Sequence, residues 1–181
     1  MKRIGTLVTL ALFLAPLSAS AQTTQYADRA GEMWAGPNLG VYLPTGDAGD
    51  FFDTSIGIGG NFLYQYDELI QFEGLVDYVF LNGDPDAGDF SGSLLPLAGG
   101  VRYEFNPGLH GDAGLGIYRL SIDVENSLFD PSETDLGIYF GGGYEIELET
   151  VNVDLLLRLH WPDLDDFYVA FSGGILFPLA P

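Results

Sequence analysis

Taken two residues at a time, the segment Thr134 to Leu148 separates into an apolar set (Leu136, Ile138, Phe140, Tyr144, Ile146, Leu148) and a polar or small set in which Asp135, Gly137, Gly141, Gly143, Glu145 and Glu147 accompany Tyr139. A period of two places alternate side chains on opposite faces of a β-strand. The same alternation recurs over Thr54–Tyr66, Ile70–Leu81, Ser93–Phe105 and Val151–Trp161. With Met33–Leu43, Leu109–Val124 and Phe167–Phe177, it predicts eight strands. Tight links fall at Asp67-Glu68, Asn106-Pro107-Gly108 and Glu149-Thr150. Longer ones follow strands one (Pro44–Asp53), three (Asn82–Gly92) and five (Glu125–Ser132), with a shorter acidic link at Pro162–Asp166. Short connections on one rim and long ones on the other are the habit of an up-and-down membrane barrel. A glycine pair before an aromatic-rich end recurs as GGNFLYQY from Gly59, GGVRYEF from Gly99, GGGYEIEL from Gly141 and GGILF from Gly173, which reads as a repeated two-strand module.

Which face points inward decides the class. If the polar parity faced lipid, Glu73, Asp77, Arg102, Glu145, Asp154 and Arg158 would lie at membrane depth, at up to ~2–4 kcal/mol for a basic residue at the midplane. The apolar parity carries Phe62, Tyr64, Phe72, Tyr78, Phe80, Tyr103, Phe105, Phe140, Trp161 and Phe171, whereas most strand glycines fall on the other. An eight-stranded interior is just wide enough for side chains to fill, so the bulk belongs outside. Aromatic residues also band: Tyr64, Tyr66, Phe72, Tyr103, Phe105, Tyr144 and Phe177 near the tight turns, and Tyr78, Phe80, Trp161 and Phe167 near the long connections. Two such belts suit the two interfaces of a bilayer. The predicted fold is therefore an all-β, eight-stranded, antiparallel up-and-down transmembrane β-barrel. A barrel of the same strands, exported and soluble around a small apolar ligand, is the alternative from another class.

The N-terminus points to export. Lys2 and Arg3 precede an apolar run from Ile4 to Leu14, followed by Pro16 and the small residues Ala19-Ser20-Ala21. This is the pattern of a signal peptide cleaved after Ala21, and no cysteine follows to take a lipid anchor. The expected division is a signal peptide over 1–21, a short periplasmic segment over 22–32 and the barrel over 33–181. After cleavage only Arg29, Arg102, Arg119 and Arg158 remain against 26 acids, four positive charges against 26 negative, or −22. That balance excludes nucleic acid as a partner. The absence of cysteine leaves stability to the sheet and to burial.

The signal peptide, the eight amphipathic strands and the GGVRYEF strand together resemble the small outer-membrane β-barrel family of the OmpA and OmpX type. The resemblance implies a bacterial outer-membrane location, insertion by the barrel-assembly machinery, contact with outer-membrane lipid and lipopolysaccharide, and a monomer. In two respects the chain departs from the family. Members commonly finish on a terminal aromatic, whereas Phe177 is followed here by Pro178-Leu179-Ala180-Pro181, and the peptidoglycan-binding domain of some relatives is not expected.

The expected lumen set carries both signs: Arg102 and Arg158 among Glu73, Asp77, Glu104, Asp112, Glu145, Glu147 and Asp154. The arginines are expected to bridge carboxylates and close the lumen to all but water or a small ion; the alternative is partly solvated carboxylates without fixed partners. The connections add an acidic rim of Asp47, Asp50, Asp84, Asp86, Asp89, Asp163, Asp165 and Asp166, in which DAGDF occurs twice, at Asp47 and at Asp86. Solvated loops and divalent-cation contact are both open for it. Lipid A-modifying barrels need a serine with a positioned histidine and acid. Only His110 and His160 are present, without a matching serine spacing, so no enzymatic activity, cofactor or metal is expected. Arg119 shares the parity of Leu115 and Ile117, so it lies above the bilayer edge against anionic head groups or follows a bulge. Pro37 and Pro96 inside strands imply local bulges. Intact-mass measurement of the protein isolated from the envelope is predicted to give a chain beginning at Gln22; retention of residues 1–21 would contradict the cleavage site.

Overall fold

The computed structural model describes residues 29–83, 90–124, 132–162 and 166–179. The segment 1–21 and the acids Asp84, Asp86, Asp89, Asp163 and Asp165 lie outside them. Eight strands follow in order: β1 (Met33–Gly46), β2 (Ser55–Gln65), β3 (Ile70–Asn82), β4 (Phe90–Asn106), β5 (Leu109–Val124), β6 (Ser132–Glu147), β7 (Asn152–Trp161) and β8 (Asp166–Leu179). Each pairs antiparallel with its neighbour in sequence, and β8 returns to β1, so the sheet closes as an up-and-down barrel. All eight predicted strands are present. Several run further than the alternation suggests, most of all β1 and β4: β1 continues because Pro44–Gly46 pair with Tyr168–Asp166, and β4 starts early because Phe90 pairs with Val124. A single 3₁₀ turn, Asp47–Asp50, follows β1.

The tight turns are built by their own side chains. Asp67 Oδ1 accepts hydrogen bonds from the Leu69 and Ile70 N–H groups at 2.9 and 2.8 Å, turning β2 into β3. Between β4 and β5, Gly108 takes φ +80°, which glycine adopts without a Cβ penalty. Its N–H donates to Glu104 Oε1 at 3.0 Å.

Neither Pro37 nor Pro96 forms the expected bulge. The β1–β8 ladder breaks after Ala35↔Phe177 and resumes at Asn38↔Gly174 in the same register. The β3–β4 ladder breaks after Val76↔Leu97 and resumes at Val79↔Leu94, again unshifted. Each proline lacks one donor and turns that edge toward one neighbour, while the opposite edge pairs normally, Pro37 with Gly60 and Pro96 with Tyr118. The β4–β5 register shift lies instead between Glu104 and Asn106, beside the turn. Arg119 follows no bulge: it stands opposite Leu95 and Thr134 in unbroken ladders and faces outward.

Outside, the barrel is a continuous apolar surface, with Leu136 82% and Leu115 70% exposed. Soluble monomers rarely expose apolar patches beyond a few hundred Å², so this surface requires hydrocarbon. On β7 the outward residues Val153, Leu155, Leu157, Leu159 and Trp161 cover roughly 20 Å of barrel axis at ~3.3 Å per residue and ~40° of tilt. Aromatic pairs close the two edges, Tyr66–Phe72 and Tyr103–Phe105 at the turn end, and Tyr78–Phe80 and Trp161–Phe167 at the long-connection end.

Inside, large side chains lie over glycines of the next strand. A Cβ on Gly57 would sit 2.7 Å from the Tyr42 ring, one on Gly137 would sit 2.8 Å from Tyr118, and one on Gly114 would meet Tyr139 and the Gly99 carbonyl. Within the Gly141–Gly143 run, Gly141 makes room for Arg158 and Gly143 for His110, while Gly142 belongs to the outer face. Overpacking of this kind costs about 1–3 kcal/mol. Gly114→Val is therefore predicted to destabilise the barrel by that amount, read as a lower urea midpoint of unfolding. Gly74→Ala, whose Cβ has only the Phe62 Cβ at 4.0 Å, should leave the midpoint near wild type. Equal effects would contradict the inward packing.

Candidate functional site in the barrel lumen

Glu73 of β3 is the hub of the interior. Its Oε2 accepts a hydrogen bond from Arg158 Nη2 of β7 at 2.8 Å and lies 3.5 Å from Arg102 Nη2 of β4. Its Oε1 accepts the Tyr139 hydroxyl of β6 at 2.6 Å. Arg158 also donates through Nε to Asp112 Oδ2 of β5 at 3.0 Å, and its guanidinium stands 5.5 Å from the centre of the Tyr139 ring. Arg102 donates to Asp154 Oδ2 at 2.8 Å and reaches Glu145 Oε2 at 3.5 Å. His110 Nε2 meets the other Asp154 oxygen at 3.0 Å, and Asn152 donates to Glu145 at 2.7 Å. Five strands thus contribute to one charged cluster whose members are almost wholly buried. Each ion has an opposite charge beside it, which is the condition for burying charge at all, while Arg102 Nε, His110 Nδ1 and Asp112 Oδ1 have no hydrogen-bond partner among the described residues.

Not every expected lumen residue belongs to that cluster. Asp77 lies apart and accepts the Tyr42 hydroxyl at 2.8 Å. Glu104 holds the β4–β5 turn, as described above. Glu147 is exposed at the turn-end mouth and pairs with Arg29 at 2.6 Å, while Arg29 also bonds Glu32 and covers the Trp34 ring. Burial disfavours the Arg29 cation, but its hydrogen bond to Glu32 and the charge of Glu147 hold its pKa above the ordinary value. A cleft of about 10 Å³ lies between these mouth residues and the cluster, lined by Gln71, Arg102, His110 and Glu145 among others. That is room for about one water-sized molecule.

Toward the long connections the interior changes from ionic to aromatic. His160 is 1% exposed and receives the Tyr118 hydroxyl at its Nδ1 at 3.0 Å, or donates to it, according to tautomer. Tyr139 stacks on it with ring centres 5.8 Å apart, and Tyr42 flanks it at 6.4 Å. Beyond this layer Phe52, Val79, Leu81, Leu94 and Tyr168 pack into an apolar plug. The expected charged residues thus share the lumen with rings and aliphatic groups. The signal was available: Tyr42, Tyr118 and Tyr139 sit on the parity of Asn38, Asp112 and Glu145. His160 lies in the middle of this packing. Above the plug a cavity of about 90 Å³ opens between Phe52, Leu120 and Tyr168, with Glu133 and Asp135 at its lip.

Of the rim acids within the described residues, Asp47 and Asp50 bound the 3₁₀ turn and Asp166 begins β8. Among the described residues no three His, Asp or Glu side chains converge to hold a metal ion, and no helix is long and apolar enough to cross a membrane, which says nothing of crossing by strands.

The family described as outer membrane protein beta-barrel domain matches residues 7–165. No curated protein matches the chain. Among solved structures, Neisserial surface protein A aligns with TM-score 0.61 at 18% identity, over 80% of this chain and 96% of that one. Ail, the attachment invasion locus protein of Yersinia pestis, solved with the heparin analogue sucrose octasulfate, aligns with TM-score 0.60 at 13% identity, over 83% and 99%. At these identities the likeness is one of fold.

Removing one partner of a buried ion pair costs about 3–5 kcal/mol because the remaining charge is stranded. Arg158→Met, which strands Glu73 and Asp112, is predicted to destabilise by that amount in urea titrations followed by gel mobility. Tyr139→Phe, which removes one hydrogen bond to a charge, should cost about 1.5–3 kcal/mol. Arg29→Met at the exposed mouth pair should cost under about 1 kcal/mol. Equal losses for Arg158→Met and Arg29→Met would contradict the hub.

Proposed function

Because the chain belongs to the outer membrane β-barrel domain family and is an integral barrel of the bacterial outer membrane, we propose that it is a non-enzymatic structural and surface-interacting element with a closed lumen. The observation that carries this reading is the stack of two fillings across one narrow barrel, the Glu73–Arg158–Arg102 cluster and the Tyr42–His160–Tyr118–Tyr139 layer. A solute would have to displace both. The excess of lumenal carboxylates over arginines favours small cations for whatever leakage occurs.

The reading as a non-enzyme rests on where the two histidines are. The hydrogen-bond partners of His110 and His160 are Asp154 and Tyr118, all inside the barrel. An acyl-transfer site needs a nucleophile beside the base and access for a lipid chain. With contacts at the outer leaflet and outer rim, the partners we propose are outer-membrane lipid and lipopolysaccharide, with insertion by the barrel-assembly machinery and a monomeric state.

Ail has been solved with a sulfated heparin analogue, a polyanion. The acidic connections of the present chain, with Asp47, Asp50, Asp84, Asp86, Asp89, Asp163, Asp165 and Asp166, repel such a ligand at low ionic strength. The surface partner we propose is accordingly a cationic group or one bridged by divalent cations.

Planar-bilayer recordings are predicted to give no steps of general-porin size at neutral pH, and cation-selective flicker at most; large, steady steps would overturn the closed lumen. Lipid A from cells overexpressing the protein should keep its mass, and a new acylation pattern dependent on His160 would overturn the non-enzymatic reading.

A further inference from the structure

At the long-connection edge the apolar exterior of β3, β7 and β8 ends in aromatic rings, Tyr78–Phe80 and Trp161–Phe167. On β4, β5 and β6 it ends differently. The last outward apolar residues there are Leu95, Ile117 and Leu136, each well exposed. The next outward positions are Ser93 on β4, Arg119 on β5 and Thr134 on β6, then Ser121 and Ser132. The ladders set these side by side: Arg119 is opposite Leu95 and Thr134, and Ser121 is opposite Ser93 and Ser132. One guanidinium and four hydroxyls therefore share a patch on the lipid-facing surface.

Height places this patch at the membrane boundary. From Leu109 to Ile117 the outward face of β5 is without charge, and those residues rise roughly 20 Å along the axis against an apolar band about 25 Å tall. Arg119 is the next outward position. Charge accounting makes it exceptional. Arg29, Arg102 and Arg158 each have a carboxylate at 2.8 Å or closer. Among the described residues no carboxylate lies within ion-pair distance of Arg119, although the mature chain has 26 acids. The neighbouring acids Glu133 and Asp135 occupy the alternate, lumen-facing positions of β6 and line the inner cavity.

We propose that this patch binds a phosphate of lipid A in the outer leaflet, with Arg119 as the principal contact and the serine and threonine hydroxyls as further donors. The guanidinium fork donates paired hydrogen bonds to phosphate oxygens, hydroxyls donate to those that remain, and acyl chains lie along Leu95, Ile117 and Leu136 below. A long cation beside hydrocarbon, without a carboxylate partner among the described residues, calls for an anion supplied by the membrane itself. The proposal rests on the reading of lipopolysaccharide as a partner and is independent of the closed lumen, since conductance and lipid retention are separate readouts.

The test is native mass spectrometry of the folded, full mature chain in micelles doped in turn with bisphosphorylated lipid A, lipid A stripped of both phosphates, and phosphatidylglycerol. Wild type should retain bisphosphorylated lipid A about tenfold more than Arg119→Gln, the change expected for loss of one charge-assisted contact. Arg119→Lys should keep part of the retention, and heat-modifiable gel migration should be the same for all three proteins. Stripped lipid A should fall to the level of Arg119→Gln. Equal retention by wild type and Arg119→Gln, undiminished retention of stripped lipid A, or preferential retention of phosphatidylglycerol would overturn the site. If Arg119→Gln does not fold, the comparison of the three lipids on wild type decides the matter by itself.

Discussion

Hydrocarbon offers no hydrogen-bond partner, so every peptide group at membrane depth must be satisfied inside the sheet. With eight strands that requirement leaves one solution, a ladder that returns from β8 to β1, and the remaining features follow from its narrowness. Closure removes the free edge on which a proline could sit. Pro37 and Pro96 are tolerated because the ladder opens on one side of each and closes again in register. It also turns the usual distribution of bulk inside out. The outer face has unlimited room for Leu136 or Phe171, while the inner face fits Tyr42, Tyr118, Tyr139 and Arg158 against glycines of the adjoining strand.

Two kinds of filling divide that interior. At the turn end it is ionic, with Glu73 joining Arg158, Arg102 and Tyr139. At the other end it is aromatic and aliphatic. The join is made by Tyr139, whose hydroxyl bonds Glu73 while its face meets both Arg158 and His160. A buried ion cluster is not in itself a source of net stability, since desolvation offsets much of the Coulomb gain. What it supplies is interdependence, because loss of any arm leaves the others unpaired. The aromatic layer adds ordinary packing, and the two together bind strands β1, β3, β4, β5, β6 and β7 across the lumen as well as around the wall.

Much of this was legible in the chain. Period-two alternation located all eight strands, because with one face in lipid a slip of one residue would invert every side chain. Connection lengths and aromatic bands supplied orientation. Arg102 and Arg158 were legible as lumenal because a lipid-facing guanidinium is too costly at mid-membrane. The roles of Glu104 and Glu147 were not, since whether a carboxylate joins a cluster or serves a turn depends on the last residue or two before the mouth. Tyr139 was visible on the inward parity of β6, but alternation weighs it as an apolar residue out of place when it is the link between charge and ring. Arg119 was legible in parity only; its significance rests on hydroxyls that three different strands bring beside it.

The proposed closed lumen requires an interior that water-soluble solutes do not reach. Ser172 of β8 faces that interior, 7% exposed, opposite Gly40 and Leu156. The natural chain has no cysteine, so Ser172→Cys, nearly isosteric, reports on this point alone, with Thr150→Cys in the exposed β6–β7 turn as the reactive reference. A small water-soluble methanethiosulfonate reagent should modify position 150 at once and leave position 172 untouched in the folded barrel until it is unfolded. Prompt modification at 172 in the folded protein would contradict the account.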